Sequence, residues 1–318
     1  MKREFITQSS VSPVIVSLFL ALCTALLFNS CARAPRKVEE DARAKGAGSH
    51  AEEIERWRSE RLANLKSEDG WLTLVGLFWL KEGENKLGSD PASDVALPAG
   101  KSPSLAGIIS LNNGTVKLDA RPGSGITSDG KPVSTLELKS DENGSPTLLK
   151  LGTLSFHVIK RGERLGVRVK DSASPERANF RGLEYYPVSD KWRVVARFER
   201  FDPPKSIPIT NVLGMEEDDP SPGALVFDVD GKTYRLDALT EEDKLFIIFA
   251  DTTSGKETYG AGRYLYADQP DAEGRVVVDF NKAYSPPCAF THFATCPLPP
   301  SQNKLPIAVE AGEKFAGH

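Results

Sequence analysis

Asn113-Gly114, Asp129-Gly130 and Asp230-Gly231 constrain this chain more than any other feature. Each dipeptide separates two runs in which apolar and polar residues alternate. The runs read IISLNNGTVKLDA, ITSDGKPVSTLEL and GALVFDVDGKTYRLDAL. A two-residue hairpin turn needs φ above zero at both central positions, which Asn, Asp and Gly reach at the least steric cost. Several such turns predict antiparallel sheet. LLKLGTLSFHVIKRGERLGVRVKD continues the pattern, and KWRVVARF, KLFIIFAD, RYLYA and RVVVDF extend it towards the C-terminus. The expected fold class is therefore mainly β. A β-sandwich is expected over 69–174 and a second, smaller β-rich domain with a Pro-rich tail over 175–318.

One helix precedes the sheets. Ile54, Trp57, Leu62 and Leu65 recur near helical spacing among charged residues, and Asp69-Gly70 ends the run. This predicts an amphipathic helix over 51–68. Residues 31–50 are charged and rich in small residues, as a tether is. Ahead of them, Lys2 and Arg3 precede an apolar run from Val14 to Phe28, which is short for a membrane span. Residues 1–30 therefore read as a signal peptide. Its end, LLFNSC, resembles the lipobox of bacterial lipoproteins, which implies lipidation of Cys31. Cleavage after Ala32-Arg33-Ala34 is the competing reading. The expected location is the bacterial cell envelope, with the membrane as partner through the anchor. The net charge of −4 argues against nucleic acid as a partner.

The stretch from Phe249 to Glu313 holds the residues of functional type. Arg263, Asp279 and Asn281 fall at strand ends near Gly260 and Gly262. Two readings stay open: a polar site for a ligand, or a buried Arg263–Asp279 pair that pins the irregular C-terminal segment. Asp251 follows an apolar strand and is either a fourth ligand-binding residue or a turn-forming Asp. Glu310 and Glu313 are expected in solvent. Cys288, His292 and Cys296 share a C-x₃-H-x₃-C spacing. A Cys288–Cys296 disulfide is the first reading for an exported pair, ahead of free thiols and of a metal site. No cofactor and no metal are expected. Half-matches to a phosphate loop at Ala99–Ser102 and to a calcium loop at Asp228–Gly231 each lack a required residue.

Two resemblances add to this. EGENKLGSDPASDVALP, SLAGIISLNNGTVKLDA and GITSDGKPVSTLEL are together similar to the strand order of a forkhead-associated β-sandwich. That family binds phosphothreonine through a Gly-Arg, a later Ser and a His. Here Gly88 is followed by Ser89, Ser104 is present, and no His follows it. The resemblance implies the sandwich without phosphopeptide recognition. GWLTLVGLFWLKEGENKLGSD, FADTTSGKETYGAGRYLYA, DFNKAYSPPCAF, CPLPP and AGEK resemble the family of domain of unknown function 1684 over Asp69 to Lys314. That likeness transfers no activity. The expected function is a non-catalytic binding or envelope-structural protein, for a small molecule or an envelope protein. The alternative is a hydrolase-type enzyme with a polar pocket in the C-terminal domain. Changing Cys31 to Ala should move the protein from the detergent fraction to the soluble fraction, or leave the precursor unprocessed. Membrane fractionation of both forms checks this.

Overall fold

The computed structural model describes residues 49–315. The signal peptide and Cys31 lie outside the described residues, as does most of the tether. The described part belongs to one compact unit. Among its residues no helix is long and apolar enough to cross a membrane.

Helix α1 spans His50–Leu65. Ser49 caps it, accepting from the Glu52 amide while the Glu52 side chain accepts from the Ser49 amide. Strands β1 (Leu74–Trp79), β2 (Gly83–Gly88), β3 (Val95–Ala96), β4 (Gly107–Asn112) and β5 (Thr115–Ala120) follow. Then come β6 (Thr127–Ser128), β7 (Lys131–Pro132), β8 (Thr135–Leu138), β9 (Leu149–Leu151), β10 (Leu154–Arg161) and β11 (Arg164–Asp171). They form two sheets, ordered β1-β11-β10-β9-β6-β7 and β3-β2-β4-β5-β8. Leu87, Ile109, Leu118, Phe156, Val158 and Val167 come from both sheets and are buried in one cluster, so the pair is a sandwich.

A short helix α2 (Pro175–Asn179) leads to the third sheet. Its strands are β12 (Arg193–Thr210), β13 (Glu216–Val229), β14 (Lys232–Glu241), β15 (Lys244–Phe249), β16 (Arg263–Ala267) and β17 (Arg275–Asp279). The spatial order is β16-β15-β14-β13-β12-β17. The sheet curls around Leu225, Phe227, Leu236, Ile247, Phe249 and Phe280. Asn113, Asp129 and Asp230 all have positive φ, as do the glycines after them, so all three hairpin dipeptides turn as their sequence requires.

The distal half of the β12–β13 hairpin forms against its local sequence. Pro203, Pro204, Pro208, Pro220 and Pro222 argue against a strand, since Pro cannot donate to a ladder. The register nonetheless resumes at Lys205↔Ser221 after an irregularity between Arg200 and Lys205. The reason is tertiary: Ile207 and Ile209 are buried with Leu74, Phe246, Ile248 and Tyr264. This third cluster joins the sandwich to the curled sheet.

Helix α1 docks on the curled sheet mostly through polar groups, because only Ile54 and Leu65 are buried on it. Lys282 bonds Glu53. His50 Nε2 bonds Asp279 at 2.7 Å and its Nδ1 bonds Asp190 at 2.9 Å. Burial lowers the imidazole pKa and nearby Arg193 adds to that, but the bonds to Asp279 and Asp190 outweigh both, and the net shift is upward. Two acceptors fit an imidazolium with two donors. The folded state thus prefers protonated His50. Its contribution is complete below the ordinary value of about 6.5 and is lost as pH rises through the higher folded value. We expect His50→Gln to remove a fall in melting temperature that the parent shows above about pH 6.5. Melting curves of both proteins from acid to alkaline pH measure this, and superimposable profiles would refute it.

Candidate functional site

The structure separates the residues that the sequence grouped. Arg263 is fully buried and pairs with Asp251, not with Asp279, at 2.9 Å. It also donates to the carbonyls of Val309 at 2.8 Å and of Ala311. Asp251 in turn accepts from the Val309 amide at 2.8 Å and from Thr253 Oγ1 at 2.6 Å. Burial pushes the Arg263 guanidinium down, and the Asp251 charge opposes that. The pair is buried and internally satisfied, and its hydrogen bonds pin the C-terminal segment to β15 and β16. Gly262, at φ +90°, permits the approach: a Cβ there would stand 2.5 Å from both the Phe249 carbonyl oxygen and Pro299 Cγ.

Asp279 lies on the other edge strand and meets different partners. It accepts from the Asn281 amide and side chain at 3.1 and 2.8 Å, and from His50. Asn281 also brackets Ser189, donating to its carbonyl and accepting from its amide, both at 2.9 Å. Asp279 and Asn281 therefore come together, while Arg263 and Asp251 form a separate pair. Glu313, expected in solvent, is fully buried instead. It accepts from Arg61 Nε and from the Ser285 amide, both at 2.8 Å. The Arg61 partner is 252 residues away in sequence, which no local pattern reveals. Cys288 and Cys296 stand at disulfide distance, with Cα atoms 6.1 Å apart. His292 is exposed beside them. Among the described residues no three His, Cys, Asp or Glu side chains come together as metal ligands would.

A cleft of about 660 Å³ opens over the junction of the two β-rich parts. Helix α1 supplies Trp57, Arg61 and Asn64 to its wall. The curled sheet supplies Glu241, Phe246, Tyr264 and Tyr266, and the irregular tail adds Tyr284, Thr295 and Cys296. The sandwich adds Arg161 and Arg168, and Trp71 stands just ahead of β1. The aromatic wall is ordered: Tyr266 stacks on Phe246 at 5.0 Å and on Tyr284 at 6.3 Å. Tyr264 donates to the Pro297 carbonyl at 2.7 Å. Arg61 lies over the Tyr284 ring at 4.8 Å. Burial raises the pKa of Tyr264, Tyr266 and Tyr284, so all three phenols are neutral donors at ordinary pH. Sequence reasoning missed this cleft, because its residues come from α1, the sandwich, the sheet and the tail. The aromatics at 57, 71, 264, 266 and 284 lie too far apart in sequence to mark it locally.

Replacing Arg263 with Ala should leave Asp251 buried without its countercharge and cost roughly 3–5 kcal/mol. Asp279→Asn should cost less, because its charged partner His50 is part-buried and keeps the exposed Asp190 as a second acceptor, so no buried charge is left alone. Denaturant unfolding of the two variants ranks them, and an Arg263→Ala protein as stable as the parent would contradict the pairing argument.

Residues 178–314 match the family model described as "Protein of unknown function (DUF1684)". The chain is also similar to an uncharacterized protein of Haloarcula marismortui solved by solution NMR, at 34% identity and a TM-score of 0.38. That match covers 44% of this chain and 80% of the other. No curated protein matches. Through residues 178–314 the chain belongs to the family described as Protein of unknown function (DUF1684).

Proposed function

We propose that this chain is an exported, lipid-anchored binding protein of the bacterial cell envelope, and that its ligand is a small molecule held in the cleft. One observation carries the reading. The cleft has a volume of about 660 Å³ and is lined by Trp57, Trp71, Phe246 and three tyrosines, with Arg61, Arg161, Arg168, Glu60 and Glu241 set among them. That size and lining are typical of ligand pockets, which favour junctions between packed modules. The internally satisfied Arg263–Asp251 pair acts as scaffold beneath it. On this reading the N-terminal part is a degenerate forkhead-associated-like sandwich that serves as one wall. Ser89, which stands where that family has Arg, donates its hydroxyl to the Ser102 carbonyl at 2.9 Å and so offers no cation for a phosphate. The hydrolase alternative would need a reacting group placed in the same cleft.

The four tryptophans offer a direct test. Trp57 and Trp71 line the cleft, Trp192 is buried in the core of the curled sheet, and Trp79 lies under Arg164. Hits from an NMR fragment screen should move the indole N–H signals of Trp57 and Trp71 and leave the other two in place. Hits that leave Trp57 and Trp71 unmoved would sink the reading. Consumption of a hit over time would favour the hydrolase instead.

A further inference from the structure

Arg168 differs from the other buried charges of this protein. It projects from β11 into the wall of the cleft and is only 6% exposed. Its Nε has no hydrogen-bond partner among the described residues, and its Nη2 reaches only Thr295 Oγ1, at the long distance of 3.5 Å. The guanidinium lies 5.3 Å from the centre of the Trp71 ring. The carboxylate that favours its charge is Asp141, which is itself paired with Arg161 at 3.0 Å. Burial and the Arg161 charge pull the Arg168 pKa down to about 10, which still leaves it charged at neutral pH. His157, directly across the ladder from Arg168, does not compensate, because burial and the neighbouring cations push it down to about 4.

A buried guanidinium without a counter-ion is costly, and it stays in a fold most readily where something else brings the negative charge. Arg161 stands on the same wall, with Nε 3.2 Å from the same Thr295 hydroxyl. We propose that the cleft binds an organic oxyanion with a planar apolar body, whose carboxylate or phosphate sits against Arg168, Arg161 and Thr295. The planar body then lies among Trp71, Tyr284 and Phe246. Arg suits this task because its fork of donors matches both headgroups. Glu60 and Glu241 also line the cleft, and Glu241 is bonded to Tyr266, so the arginine wall is the end that favours an anion. The proposal rests on the cleft being the ligand site.

The test uses the detergent-solubilised full chain and three probes: naphthoate, naphthyl phosphate and the uncharged naphthamide. Binding is followed through the Trp57 and Trp71 indole signals. At least one charged probe should bind about tenfold or more tightly than naphthamide, as a charge-assisted bond to a buried group implies. Which of the two does so identifies the headgroup. Arg168→Gln should abolish the preference while naphthamide affinity stays unchanged, and Arg168→Lys should keep part of it. Without any probe, Arg168→Gln should melt no earlier than the parent, since it removes an uncompensated charge. Equal affinities for all three probes at Trp57 and Trp71 overturn the oxyanion proposal and leave the cleft reading standing. No shift with any probe counts against both. An Arg168→Gln protein that melts earlier or fails to fold makes Arg168 a structural residue and overturns the proposal.

Discussion

The buried Arg263–Asp251 pair is the constraint on which the irregular C-terminal segment depends. A chain rich in proline, as this one is after Pro286, cannot organise itself by backbone ladders. It needs side chains to satisfy its carbonyls and amides. Arg263 takes the carbonyls of Val309 and Ala311, and Asp251 takes the Val309 amide. Asn303 does the same one turn earlier, donating to the carbonyls of Asp237 and Ile248 at 2.8 and 2.9 Å. Both devices fix loop backbone to strands that are already rigid. Their polar groups leave water only because each finds a partner with good geometry.

From this anchor the rest of the cleft follows. With Ala311 held, Gly312 can turn at φ +76° under the carbonyls of Phe280 and Ala283, where a Cβ would come within 2.4 Å of the Ala283 oxygen. The turn sets Glu313 where it meets Arg61 and the Ser285 amide. Arg61 belongs to α1, so the last residues of the fold position the first helix. Two buried apolar residues would hold a sixteen-residue helix weakly, and the ion pairs add the orientation. The Trp57 and Arg61 faces of that helix then become one side of the cleft.

The electrostatics of the two parts contrast. Around the curled sheet, the buried charges are matched: Arg263 with Asp251, Arg61 with Glu313, and Asp279 with His50. In the sandwich, Asp171 has Lys101. Arg168 stands on the outer face of the sandwich beside Lys170 and Arg161, with Trp71 rather than a carboxylate as its neighbour. Among the described residues none pairs with it as a counter-ion, and that sets it apart from the structural pairs.

The sheets were legible in the sequence because their signals are local. A period of two and an Asn-Gly or Asp-Gly turn act within a dozen residues, so the hairpins at Gly114, Gly130 and Gly231 could be read directly. The helix was legible for the same reason, and so was the tendency of Cys288 and Cys296 to meet across a short loop. The distal β12–β13 hairpin was not, since its prolines oppose a strand and only the burial of Ile207 and Ile209 overrides them. Partner choice was also hidden. Arg263 and Asp279 sit at strand ends that the sequence cannot order in space. Whether Asp251 or Asp279 meets Arg263 depends on which strands share an edge. The cleft lay furthest from view, because it exists only where a helix, a sandwich face, a sheet and a proline-rich tail converge. Local chemistry determined which elements form, and long-range packing alone decided which of their side chains meet.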